Sequence, residues 1–228
     1  MPPIASSFRL LYDHLGLGLV SAVLFGAGMA TSIPVIRRDA RWLMAFPLWV
    51  VRQVLRLIGP NFAALRVFLT IFVFNSVAIF LYMVSGVFVV LPAAVAFLTG
   101  INIGIIVLKA GEVEMPSGGR PLAAAMAPNA EYEVAPWVSL CSVTVLILEL
   151  PSFWISVGMG IGMARDLTRV GQYTLAHMGA LLDPRIAAYL SIIVPALFLS
   201  ALAETAAIRG HLRARRPPDG GEPGAGSL

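Results

Sequence analysis

The chain has 228 residues, of which 58% are hydrophobic and only 12% charged, and its mean hydropathy is +0.86. A soluble domain carries about 25% charged residues, so the composition disfavours a water-soluble enzyme, a nucleic-acid-binding module and a disordered scaffold. It predicts an all-α, polytopic helical membrane protein. The 16 basic and 12 acidic residues give a formal charge of +4, which in such a chain reports orientation rather than a nucleic-acid partner.

Five stretches are predicted to cross the membrane as helices. Leu15 to Ile36 is a run of 22 uncharged residues, enough to cross a hydrocarbon core of roughly 30 Å. Val67 to Leu108 is an uncharged run of 42 residues, about twice one crossing, and Gly86 and Pro92 predict a tight turn near its middle. The predicted spans are about residues 15–36, 67–88, 91–108, 137–163 and 186–208.

Residues 40–58 are predicted to form an amphipathic helix along the membrane surface. Arg41, Arg52 and Arg56 return to one side of a 3.6-residue helix, and the other side is apolar. Because an arginine at the bilayer centre is expensive, a surface helix is favoured over a sixth span. Residues 167–182 are a smaller candidate of the same kind.

The distribution of basic residues predicts the orientation. Twelve Lys and Arg fall in the connections on one side of these spans and four on the other. The positive-inside rule therefore places the amino terminus outside and the carboxyl terminus in the cytoplasm. Residues 1–216 are predicted to form a single membrane domain, residues 111–134 a loosely held loop, and residues 217–228 a disordered tail rich in Pro and Gly.

Four polar residues interrupt the spans: Asn75, Asn102, Glu149 and Glu204. The two asparagines lie at similar distances from the cytoplasmic boundary, so they could face each other, and a hydrogen bond that locks a helical hairpin is favoured over a substrate site. For Glu149 a structural acid between helices and an ion or proton path both remain open. Pro151, two residues later, predicts a kink and an interrupted helix beside this acid.

Glycine pairs four residues apart indicate close helix packing. Gly100 with Gly104, and Gly158 with Gly162, form small-xxx-small pairs. The three histidines are scattered and lack metal-ligand spacing, and neither an HExxH nor a GxSxG motif is present. No catalytic site, metal site or cofactor is therefore predicted.

Four blocks follow one another along the spans. They are Phe74-Asn75 with the later Gly86; Asn102-Ile103-Gly104; Glu149-Leu150-Pro151 with Gly158, Gly160 and Gly162; and Leu202-Ala203-Glu204. In this order they resemble the stage II sporulation protein M family over about residues 68–208. The resemblance implies that Asn75, Asn102, Gly104, Glu149, Pro151 and Glu204 match the family's recurring polar, Gly and Pro positions. The family usually has Asn-Gly where this chain has Asn102-Ile103.

Two functions remain in view. The first is a non-enzymatic scaffold of the bacterial inner membrane, and the resemblance implies that it organises cell-envelope proteins. Its expected partners are the lipid bilayer and either membrane proteins or further copies of the chain. The alternative is a small transporter or permease subunit in which Glu149 and Glu204 couple to protons or ions. An intramembrane enzyme ranks last because no nucleophile is paired with a base.

The orientation is testable by thiol labelling. A cysteine introduced at Ser227, in a Cys141→Ser background, should resist a membrane-impermeant maleimide in intact cells and react after the cells are opened. Labelling in intact cells would contradict the predicted topology.

Overall fold

A computed structural model describes residues 4–59, 61–113, 136–171 and 173–213. Within these ranges every regular element is helical, which confirms the predicted all-α class. The helices are α1 (Ile4–Asp13), α2 (Leu15–Arg37), α3 (Arg41–Ile58), α4 (Ala64–Val84), α5 (Leu91–Lys109), α6 (Pro136–Val170), α7 (Leu175–Ala188) and α8 (Val194–Arg213). Short 3₁₀ turns follow α4 and α5, and a π-helical segment, Tyr189–Ile193, joins α7 to α8.

Among the described residues, five helices are long and apolar enough to cross a membrane, as predicted, and the chain is a multi-pass membrane protein. They are Leu15–Arg37, Ala64–Val87, Leu91–Lys109, Pro136–Val170 and Leu175–Leu212. The last two are longer than the predicted spans 137–163 and 186–208. The predicted spans end at charged residues, because charges mark where the lipid ends. The helix itself can continue into water, because its backbone hydrogen bonds are internal.

Helix α2 lies between α5 and α6, and glycines allow both close approaches. A Cβ atom on Gly28 would overlap the backbone of Phe97 on α5, and one on Gly100 would overlap the backbone of Phe25 on α2. On the other side of α2, a Cβ on Gly158 of α6 would overlap the backbone of Gly18. The backbones therefore meet directly, which is how spans associate where lipid supplies no hydrophobic driving force.

The other glycines singled out in the sequence also lie at close contacts. A Cβ on Gly104 would overlap the side chain of Ser32, and one on Gly162 would overlap the ring of His14. Gly86, in the turn after α4, lies against Gly160 of α6. This contact fixes the α4–α5 turn against the carboxyl-terminal half of α6.

Helices α4, α6 and α8 form the second packing unit. Met83, Val157, Tyr189, Ile193 and Leu197 are among its almost fully buried residues. Farther along the same interface, Phe198 of α8 packs edge-on against two phenylalanines of α4. Helix α4 makes only slight contact with α5, its neighbour in sequence, because α5 packs on α2 instead. The two helices of the predicted hairpin are therefore consecutive in sequence, but they belong to different packing units.

Helix α3 covers residues 41–58 as predicted. One side, with Pro47, Leu55 and Ile58, is buried. Arg41, Arg52 and Arg56 are exposed, and an exposed aromatic stripe of Trp42, Phe46 and Trp49 runs beside them. The helix therefore has three faces rather than two: a face against the bundle, a basic face and an aromatic face.

Two local predictions are wrong. Residues 167–182 do not form one helix, because α6 ends at Val170 and Gly171 adopts a φ of +68° before α7 begins. Helix α6 is not interrupted at Pro151 but continues through it, so the predicted interruption is wrong, whereas the kink stays a prediction. Proline at 151 removes the N–H that would donate to the Ile147 carbonyl, and the helix continues on the hydrogen bonds of its other residues. The tail 217–228 and most of the loop 111–134 lie outside the described residues.

The glycine contacts predict opposite effects for two substitutions. Gly100→Ala should destabilise the protein by roughly 1–3 kcal/mol, the cost of forcing atoms into a packed interface. Gly26→Ala is the control, because a Cβ there meets nothing within 4 Å, and it should be neutral or stabilising by about 0.5–1 kcal/mol. Thermal unfolding in lipid nanodiscs measures both, and equal effects would refute the close α2–α5 contact.

Candidate functional site

Three of the predicted polar residues come together at the interface of α4, α6 and α8. The Asn75 side-chain amide on α4 donates a hydrogen bond to the Glu149 carboxyl Oε1 on α6. Glu204 on α8 lies close enough to act electrostatically on Glu149. All three side chains are half-buried. We call Asn75, Glu149 and Glu204 the inner cluster.

Helical spacing explains why these residues meet. Glu149 lies seven residues before Ser156 and eleven before Gly160, so all three occupy one face of α6, the face that Gly160 places against the end of α4. On α8, Glu204 lies four residues after the buried Ser200, again on one face. The same periodicity that buries the apolar core therefore directs the acids into the interface.

Further polar groups lie along this interface. The Tyr189 hydroxyl, in the π-helical segment, donates to the Ser76 carbonyl on α4 at 2.5 Å. The hydroxyl oxygens of Ser76, Ser156 and Ser200 are buried and have no hydrogen-bond partner. A π-helical segment was not predicted, because a single widened turn has no clear sequence signature; such turns occur often at functional sites.

Asn102 is not part of the inner cluster. It lies half-buried on α5, between Gly100 and Gly104, which pack on α2. The hydrogen bond between Asn75 and Asn102 that would lock a hairpin is not formed, and Asn75 bonds to Glu149 instead. The prediction rested on matching depth alone, and it fails because α4 and α5 pack on different partners.

Sequence reasoning missed a second cluster, near the level of the α4–α5 turn. Arg185 of α7, counted in the sequence as a charge of an outer connection, is only 3% exposed. Its Nε donates to the Met159 carbonyl at 3.2 Å, and its Nη1 donates to the Leu181 carbonyl at 2.7 Å. Its Nη2 lies 3.0 Å from an Asp166 carboxylate oxygen and 3.4 Å from His14 Nε2.

We call His14, Asp166 and Arg185, with the two carbonyls, the outer cluster, because the charge distribution predicts that this end of the bundle faces outside. It joins the α1–α2 turn, α6 and α7. The sequence does contain a signal for this cluster, because Asp166 and Arg185 carry opposite charges at the facing ends of two consecutive predicted spans. The signal is easily overlooked, because charged residues just beyond a predicted span are expected to lie in water.

His14 lies in the turn before α2 and is 7% exposed. Its Nδ1 is 2.8 Å from the Leu10 carbonyl oxygen. Burial lowers the pKa of His14 below its ordinary value, with a smaller contribution from the nearby positive charge of Arg185, and the Leu10 hydrogen bond and Asp166 only partly offset this. The histidine is therefore neutral around pH 7.

The geometry suits holding helices together more directly than it suits a reaction. Each cluster links side chains or carbonyls from different helices, so each fixes the relative position of at least two spans. Glu149 and Glu204 are carboxyl groups and are also able to take up and release protons. Comparison of the chain with protein-family models, curated proteins and solved structures gives no match.

The inner cluster predicts a difference between two substitutions of the same residue. Glu149→Gln keeps the shape and an oxygen that accepts from Asn75, so stability should change little. Glu149→Leu leaves the Asn75 amide without its partner and should destabilise by roughly 1–3 kcal/mol. Thermal unfolding in nanodiscs compares the two, and an equally stable Leu variant would show that the hydrogen bond contributes nothing.

Proposed function

We propose that this chain is a non-enzymatic scaffold of the bacterial inner membrane, with its amino terminus outside and its carboxyl terminus in the cytoplasm. The observation that carries the proposal is the Asn75–Glu149 hydrogen bond between α4 and α6. This bond uses the Asn75 amide and the Glu149 carboxyl to hold α4 and α6 together. The arrangement favours a rigid body over one built around an open site.

The glycine contacts add to this argument. Helix α2 meets α5 through Gly28 and Gly100, and meets α6 through Gly18 and Gly158, with backbone against backbone. Interfaces this close leave no room for water between the spans. A rigid core of this kind can present its outer surfaces to partners in a constant arrangement.

The surface of α3 supports contact with the membrane surface. Its exposed arginines, at 41, 52 and 56, lie beside the exposed side chains of Trp42, Phe46 and Trp49. Aromatic rings are favoured at the depth of lipid headgroups, and arginines are attracted to anionic headgroups. The resemblance to the stage II sporulation protein M family supports cell-envelope proteins as the partners.

A second candidate is a small transporter or permease subunit coupled to protons or ions. The observation that favours it is the proximity of two acids on different spans, since Glu204 acts electrostatically on Glu149. A π-helical segment in the same span as Glu204 adds an irregular turn of the kind that often marks functional sites.

Substitution of Glu149 by Gln separates the two candidates. The scaffold should keep its partners when Glu149 is replaced by Gln, because the hydrogen bond to Asn75 survives. A transporter should lose proton-coupled activity, because an amide cannot release a proton. Co-purification of partners in mild detergent and proton flux into proteoliposomes, each measured for the parent and Glu149→Gln, make the comparison.

Glu112→Gln is the matched control, since Glu112 is an exposed acid paired with Lys109 at the end of α5. It should change neither measurement. Proton flux that Glu149→Gln abolishes and Glu112→Gln leaves intact, in a variant that still assembles, would overturn the scaffold proposal. Loss of partners from the Gln variant would do so as well.

A further inference from the structure

The outer cluster fixes the protonation state of His14 through its hydrogen-bond directions. An arginine guanidinium only donates hydrogen bonds, so His14 Nε2, 3.4 Å from Arg185 Nη2, must present its lone pair. The proton of the neutral ring then lies on Nδ1, which donates to the Leu10 carbonyl. Both ring nitrogens are engaged only in this neutral tautomer.

Protonation of the ring would break this arrangement. Nε2 would carry a hydrogen directed at the N–H groups of Arg185, and two cationic groups would face each other in a buried site. The other charged groups that act on His14 are Asp166 and Arg165, both on α6. Asp166 attracts a charged ring, but it already accepts from Arg185 and is also paired with Arg165. It cannot neutralise three cations.

On the side that faces α6, the charged ring has no free space. A Cβ on Gly162 would overlap His14 Nε2 and Cδ2, so the ring lies directly against the α6 backbone. A rotation toward α6 therefore does not relieve the repulsion. Movement of the ring away from α6 does relieve it, and such a movement displaces the α1–α2 turn that carries the ring.

We propose that His14 makes the outer cluster a pH-sensitive joint, in which acidification on that side of the membrane releases the α1–α2 turn from α6 and α7. This is a conformational device, and it is independent of whether the protein acts as a scaffold or a transporter. We expect α1, which is continuous with this turn, to shift along α7 and the π-helical segment, on which it mainly packs.

The direction of the pH dependence follows from the lowered pKa of His14. The unfolded or released ring titrates near its ordinary value of about 6.5, and the ring in the cluster titrates below that value. The contact is therefore fully present above about pH 6.5 and is lost as the pH falls through the lower pKa of the folded form.

Spin-label distances in the full-length protein test this proposal. Labels at Phe8→Cys on α1 and Val170→Cys at the end of α6, both exposed positions, in a Cys141→Ser background in nanodiscs, should give one narrow distance distribution near pH 7.5. Near pH 5 a second, longer population should appear and increase at least severalfold, since histidine is the side chain that titrates in this interval. An unchanged distribution would overturn the proposal.

Two substitutions identify the histidine responsible. His14→Gln retains an oxygen that accepts from Arg185 but does not titrate, so its distribution should be the same at both pH values. His177→Gln is the matched control, as His177 is a histidine of α7 that lies outside the outer cluster, and it should keep the full response. A response that persists in His14→Gln, or that disappears in His177→Gln, would assign the effect to another group and contradict the proposal.

The proposal can still be tested if the His14→Gln variant does not fold correctly. If His14→Gln lacks the narrow distribution near pH 7.5, the pH titration of the distances in the parent protein decides. Because the ring in the cluster titrates below the ordinary histidine value of about 6.5, the longer population should reach half of its final size below that pH. A half-point above about pH 6.5 would refute the pH-sensitive joint.

Discussion

Lipid offers no hydrogen-bond partner, and this constraint governs the arrangement of the polar residues among the spans. The Asn75 amide and the Glu149 carboxyl, on different helices, satisfy each other. Arg185, whose charge would be costly in lipid, is surrounded by two carbonyls, a carboxylate and a histidine from three parts of the chain. In both clusters a polar residue that lipid cannot accommodate determines which helices must be neighbours.

Glycine contacts determine the rest of the packing. Helix α2 is held between α5 and α6 because glycines on all three helices remove the side chains that would keep the backbones apart. That leaves α4 to pack on α6 and α8, although α4 and α5 are adjacent in sequence. Close van der Waals contact drives this association, since lipid tails are as apolar as the side chains themselves. Helix α6 takes part in both units and carries residues of both polar clusters.

The sequence predicts the number of spans well, because the cost of placing charges in lipid is large and local, so long uncharged runs such as Val67 to Leu108 are unambiguous. It also directs attention to Glu149 and Glu204, since acids within apolar runs stand out. It does not predict which helices are neighbours. Asn75 and Asn102 are predicted at the same depth in the membrane. They do not meet, because α5 packs on α2 rather than on α4. Arg185 was missed because a charge next to a predicted span is expected in water, and its burial depends on Asp166 and His14, which lie far away in sequence.

The two polar clusters respond differently to protonation. In the inner cluster the Asn75 amide donates to a carboxyl oxygen of Glu149, and a carboxyl oxygen accepts that bond whether or not the acid carries a proton. In the outer cluster His14 must accept from Arg185, and a protonated imidazole has no lone pair with which to accept. The Asn75–Glu149 contact between α4 and α6 can therefore form whether Glu149 is protonated or ionised. The Arg185–His14 contact at the α1–α2 turn forms only when His14 is neutral. The hydrogen bond between α4 and α6 therefore does not depend on the proton of Glu149, whereas the position of the α1–α2 turn depends on the proton of His14.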